Sequence, residues 1–181
     1  YSAKYQKFMP NTIFTQNINE IKKFFKTNKK VILKPVYSFG GNDIHLLSKF
    51  NFQLIQKFLN KHDFVMCQKF LSKISKGDKR VFIINGKIAG AISRVPKKGS
   101  ILSNMSKGGK ATNTNLTIIE KKISKKIASD LKKENIFLAR IDFIDQKLNG
   151  DINVTSPTGL KTLYDLSKIN LAKTFWKELK E

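Results

Sequence analysis

The stretch Phe137 to Gly159, FLARIDFIDQKLNGDINVTSPTG, most constrains what this chain can fold into. Phe137 to Ile144 is rich in β-branched and aromatic residues, which suit a pleated strand, and Asn149-Gly150 tolerates the positive φ of a tight turn. Asp151 to Val154 resumes extended, so the pattern predicts two antiparallel strands with the turn at Asn149-Gly150. Side chains alternate across a strand, which puts Asp151 and Asn153 on one face. The hairpin returns Asp142 toward that pair. Two carboxylates and an amide oxygen with no His or Cys nearby are hard donors of the kind Mg²⁺ takes. A polar hairpin with solvated acids fits the same spacing.

The 181 residues, 40% of them hydrophobic, suffice for one sizeable domain or two small lobes. The start at Tyr1 rather than Met suggests a preceding segment. The chain has no apolar run of about eighteen residues, the length that would predict a membrane span. It has no basic-then-apolar leader, and the single cysteine, Cys67, excludes an internal disulfide. A cytoplasmic location and no membrane partner are therefore expected.

A formal net charge of +22 raises nucleic acid as a partner. The make-up of that charge argues for a solvated lysine coat instead, because only Arg80, Arg94 and Arg140 are arginines and the lysines are spread over nearly every segment. Such a coat attracts polyanions without specificity and in a salt-dependent way. An RNA-binding module would show clustered aromatics or an arginine-rich stripe, and neither is present. A basic nucleic-acid-binding module is the alternative from a different class. No specific nucleic-acid partner is expected.

Val31-Ile32-Leu33-Lys34-Pro35 reads as an apolar strand ending on a lysine, followed by a loop with Gly40-Gly41. Glycines let backbone N–H groups approach a phosphate and an ammonium meets its charge, although a lysine snorkelling at a strand end before a turn has the same pattern. Phe52 to Leu59 is a helix, and Phe64 to Leu71 a strand leaving one lobe for the next. Gly77 to Gly86 is a strand turning at Asn85-Gly86, and Lys87 to Val95 returns antiparallel, bringing Arg80 and Arg94 onto neighbouring strands. Guanidinium offers the planar fork that grips a carboxylate or phosphate, so arginine retained against a lysine bias is a functional hint. Lys97 to Thr114 is a polar loop long enough to act as a lid. Leu116 to Glu134 is a helix, and Leu160 to Glu181 closes the chain as a helical segment with Leu163, Leu166, Leu171, Phe175 and Trp176 packing inside.

The run Asp151-Ile152-Asn153-Val154-Thr155-Ser156-Pro157-Thr158-Gly159 resembles the D/E-I-N-V-T-S-P-T-G signature of the prokaryotic glutathione synthetases, which are ATP-grasp ligases. The order G-D-K-R-V followed by S-R-V-P, and the M-x-Q-x-F-L segment at Met66 to Leu71, resemble the same family. The resemblance implies an α+β fold of the ATP-grasp type, two α+β lobes with nucleotide between them. Residues 1–66 would form the small lobe with its lid and 67–181 the large lobe with the metal site, the N-terminal substrate domain being absent from this chain.

By the same resemblance Asp142, Asp151 and Asn153 would hold Mg²⁺ or Mn²⁺. Lys34, Gly40 and Gly41 would meet the phosphates of ATP, Gln68, Lys69, Phe70 and Leu71 the adenine, and Asp78 the nucleotide. Arg80 and Arg94 would face an acyl phosphate, Asn104 would sit in the mobile loop over the reaction, and Ser156 and Thr158 would touch substrate. This sequence departs from the family pattern in carrying Asp151 for the usual Glu, Leu102 for the loop arginine and Lys110 for the last arginine. The implied reaction is ATP-dependent joining of γ-glutamylcysteine to glycine, by a protein that is a homo-oligomer when full length. Alternatives within the superfamily are a ligase for another amino-acid acceptor and an inactive nucleotide-binding fragment.

Overall fold

In the computed structural model, which describes residues 2–37 and 43–180 with Ser106 given by its backbone alone, the chain divides into two compact units. One is Met9–Ser72. The other is Lys73–Glu181 together with Tyr1–Phe8.

In the unit Met9–Ser72, strand β1 (Thr12–Thr15) leads into helix α1 (Ile18–Asn28), capped by Asn17, whose side-chain oxygen accepts from the Asn19 N–H at 2.8 Å. Strands β2 (Val31–Pro35) and β3 (His45–Leu47) follow, then helix α2 (Phe52–His62), capped by Asn51, and strand β4 (Val65–Lys69). The sheet runs β1-β4-β2-β3 with every pair antiparallel. Alternation sorts its two faces. Val31, Leu33, Val65 and Cys67 bury themselves with Ile21, Ile55 and Phe58 from the helices, while Lys34, Gln68 and Thr12 occupy the opposite face. Gly40 and Gly41, expected at the phosphates, lie outside the described residues.

In the second unit, β5 (Asp78–Ile84) turns at Asn85-Gly86, both at positive φ (47° and 72°), into β6 (Lys87–Val95). The polar stretch after it is only partly loop. Lys110–Asn113 forms an edge strand, β7, on β6, because its backbone finds partners there that solvent would otherwise supply. Helix α3 (Ile118–Lys133) starts in a capping box of Thr117 and Glu120 and packs on β5 and β6. Then come β8 (Leu138–Ile144), β9 (Lys147–Asn153), α4 (Leu160–Ser167) and α5 (Leu171–Lys180). The sheet order is β7-β6-β5-β8-β9, again antiparallel throughout. Phe82, Ile84 and Ile92 on one face form a core with Leu163 and Leu171.

Three sequence expectations need correction here. The β8–β9 turn is Asp145-Gln146, at φ 48° and 63°, and Asn149-Gly150 lies inside β9. There the register shifts between Ile141 and Phe143, so Gly150 with φ 87° serves a bulge and not the hairpin turn. The closing segment is two helices, broken at Lys168 in the left-handed region. Trp176 is 61% exposed, whereas Leu163 and Leu171 are buried as expected.

The α+β architecture read from the sequence is the one observed. The units part at 72/73, since β4 is hydrogen-bonded as a whole into the first sheet and cannot be divided at 66/67. No helix among the described residues is long and apolar enough to cross a membrane.

Candidate functional site

Four strands of the second sheet place their polar side chains on one face. Asp78 pairs across the ladder with Arg94, Arg80 with Asp142, and Arg140 with Asn153. Residues two apart on a strand share a face, so Asp78 and Arg80, and likewise Arg140 and Asp142, stand side by side. The bulge in β9 brings Asp151 into the same group. All three arginines of the chain thus converge on one carboxylate, that of Asp142.

Arg80 grips Asp142 in a fork, Nε to Oδ1 at 3.0 Å and Nη2 to Oδ2 at 2.9 Å. Its Nη1 donates to the carbonyl and hydroxyl oxygens of Thr158, each at 3.1 Å. Arg94 forks onto Asp78, Nε to Oδ1 at 2.9 Å and Nη2 to Oδ2 at 2.5 Å, and the same Nη2 reaches Asp142 Oδ2 at 2.9 Å. Arg140 uses one nitrogen for two acids. Its Nη1 lies 2.8 Å from Asp142 Oδ2 and 2.9 Å from Asp151 Oδ2. The Ser103 hydroxyl donates to Asp78 Oδ2 at 2.6 Å.

The cluster is buried except at Asp151, whose side chain is 50% exposed. Burial alone would raise the Asp142 carboxyl, but the guanidinium groups of Arg94, Arg80 and Arg140 outweigh it and hold Asp142 well below the usual carboxylate range. Asp78 moves the other way: burial and the neighbouring Asp142 charge raise it against the pull of Arg94. Burial works against the Arg94 cation too, yet the charges of Asp142 and Asp78 hold it protonated above its ordinary value. Of these two buried carboxylates, Asp142 therefore holds its charge the more firmly and Asp78 takes up a proton the more readily.

The remaining expected residues are distributed as follows. The Lys34 ammonium donates to Gln68 Oε1 at 3.0 Å, and Gln68 Nε2 donates to Thr12 Oγ1 at 3.0 Å, so Lys34 and Gln68 form one buried-to-edge chain in the unit Met9–Ser72. The N–H groups of Lys69 and Phe70 are engaged by the carbonyls of Asn11 and Lys30. Leu71 follows directly. Asn104 caps a 3-10 turn, its carbonyl accepting from the Lys107 and Gly109 N–H groups. Asn153 Oδ1 accepts from the N–H groups of Thr155 at 3.1 Å and Ser156 at 2.8 Å, which shapes the turn after β9. Ser156 itself is exposed, and Thr158 is tied to Arg80.

Two members of the cluster escaped the sequence reading. Arg140 stands two residues before Asp142 on the same strand, and its rarity in a lysine-dominated chain was the available signal. Ser103 adjoins Asn104, and nothing in the sequence alone marks it.

Asp142 and Asp151 carry the hard oxygen donors that a small divalent cation takes, and a positive charge, Arg140 Nη1, already sits between them. The carboxylate pair fits such an ion. Among the described residues no group of three or more His, Cys, Asp and Glu side chains is placed to hold a metal. Further donors would come from Asn153, water or phosphate.

Comparison with solved structures places this fold in a known class. The chain superposes on the D-cycloserine synthetase DcsG with a TM-score of 0.70 at 11% identity, covering 98% of this chain and 67% of that one. It superposes on the ATP-grasp ligase PsnB, solved with a precursor variant, Mg and ADP, with a TM-score of 0.69 at 14% identity, covering 94% and 52%. The fold is that of the ATP-grasp ligases.

Residues 1–168 match the family model of the prokaryotic glutathione synthetase ATP-grasp domain, and the chain belongs to that family. It is 36% identical to the glutathione synthetase of Prochlorococcus marinus subsp. pastoris over 99% of this chain and 60% of that protein. It is 34% identical to that of Mesorhizobium japonicum over 97% and 57%. The chain thus spans about three-fifths of the length of the curated relatives it matches.

Proposed function

We propose that this chain is the ATP-grasp portion of a cytoplasmic glutathione synthetase, which joins γ-glutamylcysteine to glycine while ATP is split to ADP and phosphate. The observation that carries the reading is the convergence of Arg80 and Arg94 on Asp142 across three neighbouring strands. Phosphoryl transfer asks little covalent chemistry of a protein and much positioning of positive charge, which this face supplies.

In this reading Met9–Ser72 serves as the small lobe and Lys73–Glu181 as the large one. Lys34 and the Gly40-Gly41 loop hold the nucleotide phosphates. Gln68 to Leu71 meet the adenine, through carbonyls and the Leu71 N–H, since the N–H groups of Lys69 and Phe70 already have partners. The dipeptide carboxylate attacks the γ-phosphorus, the bond to the bridging oxygen breaks, and ADP leaves. The glycine amine then attacks the acyl carbon, phosphate departs and the nitrogen loses a proton. Arg80 and Arg94, held in place by Asp142 and Asp78, face the charge on the transferred phosphoryl group. Asn104 belongs to the loop that excludes water, and Ser156 and Thr158 border the dipeptide. Mg²⁺ or Mn²⁺ held by Asp142, Asp151 and Asn153 would neutralise the nucleotide phosphates.

The test is calorimetric titration of the chain with ATP, with and without Mg²⁺, over a salt series, followed by ADP release by the whole protein supplied with γ-glutamylcysteine and glycine. Magnesium-dependent binding that survives moderate salt, and dipeptide-dependent turnover lost in the Asp142→Asn, Asp151→Asn double variant, are the expected results. Salt-labile binding matched by RNA or polyphosphate would overturn the reading in favour of a lysine-coated polyanion binder.

A further inference from the structure

The three guanidinium groups around Asp142 are not held alike. Arg80 engages Nε, Nη1 and Nη2 with two residues. Arg94 forks onto a buried Asp78 and reaches Asp142 besides. Among the described residues Arg140 binds through Nη1 alone, one of its two acids is half-exposed, and its Nε is buried with no hydrogen-bond partner there. A buried donor left without an acceptor costs free energy, so Arg140 is the least well satisfied of the three.

Its place is also the most telling. Two carboxylates drawn to within reach of one nitrogen repel each other unless a positive charge lies between them. Here that charge is the Arg140 guanidinium. A divalent cation bound by Asp142 and Asp151 would need the same oxygens, because Asp142 Oδ2 already accepts from three nitrogens.

We infer that Arg140 is an exchangeable internal cation: its guanidinium holds Asp142 and Asp151 together in the metal-free site and yields those oxygens to the divalent ion. The inference rests on the reading of Asp142 and Asp151 as cation ligands. It makes Arg140 a positioning residue that sets how much metal the site demands. Arg80 and Arg94, with their second anchors, stay where they are during the exchange.

Having only three arginines, the chain has only three arginine Nε–H groups for NMR to follow. In the purified full chain with ADP, Mg²⁺ should move the Arg140 Nε resonance, assigned by its loss in Arg140→Lys, and leave those of Arg80 and Arg94 near their places. Calorimetry of ADP binding gives a second reading. In Arg140→Gln, which keeps an amide donor and loses the charge, the free Mg²⁺ needed for half-maximal binding should fall by about fivefold or more, whereas Arg140→Lys should keep the parent demand.

An Arg140 resonance indifferent to saturating Mg²⁺, or an unchanged or raised demand in Arg140→Gln, would overturn the exchange while leaving the metal site standing. If ADP binding ignores Mg²⁺ in the parent chain and in Asp151→Asn alike, the metal reading falls and the exchange with it. The NMR measurement needs no Arg140→Gln protein, so it decides the matter even where that variant does not fold.

Discussion

Arg80 and Asp142 face each other across β5 and β8 in a two-bond fork, with Nε and Nη2 at 3.0 and 2.9 Å from the two carboxylate oxygens. The pair is buried, so its worth lies less in net stability than in the penalty for breaking it.

Asp142→Asn removes the charge that three guanidinium groups share and leaves them facing a neutral amide. The expected loss is about 3–5 kcal/mol of unfolding free energy, since an uncompensated buried charge is the result. Urea denaturation of parent and variant measures it, as a fall in midpoint without a change in slope.

The Asp142 carboxyl is depressed in the folded state, so its contribution is present above the unfolded value, about 4, and is lost as pH falls below it. Asp78, raised when folded, acts with the opposite sign: its ionisation opposes folding as pH climbs from the unfolded value through the folded one. Stability measured from pH 7 down to pH 3 should therefore drop less steeply in Asp142→Asn than in the parent chain.

A methyl group on Gly109 would stand 2.2 Å from the Ser103 carbonyl oxygen. Gly109→Ala must push that backbone aside, and with it the hydroxyl that Ser103 donates to Asp78. Loss of a hydrogen bond to a buried carboxylate costs about 1.5–3 kcal/mol. Ser103→Ala should reproduce most of the destabilisation of Gly109→Ala, and thermal unfolding of both variants tests the link.

Burial pushes the Cys67 thiol up to about 12. Only the thiolate is nucleophilic, so Cys67 should resist an aromatic disulfide reagent at pH 8 in the folded chain and react promptly in denaturant. Prompt reaction of the native protein would show that β4 opens readily.

Much of this could be read before any coordinates. Strand and helix positions followed from hydrophobic periodicity, Arg80, Arg94, Asp142 and Asp151 stood out as scarce or acidic residues at strand positions, and Asp78 was marked only by the family resemblance. The β8–β9 turn did not, because Asn149-Gly150 suits a tight turn and a bulge equally well, and only the register of β9 on β8 decides between them. The edge strand Lys110–Asn113 was hidden for a related reason: its residues are polar on both faces, and its pairing depends on β6 having an open side. Arg140 was legible as rare but not as a partner of Asp151, a contact that the bulge creates.

The long step from β5 to β8 has a consequence for how the protein emerges from the ribosome. Asp78 and Arg94 lie on adjacent strands of one hairpin and can pair as soon as β6 is made. Arg80 must wait for Asp142, a partner 62 residues further along the chain. Until then the nascent hairpin carries the Arg80 guanidinium without its Asp142 partner, so β8, made well after β5, brings the anion that completes the charge arrangement.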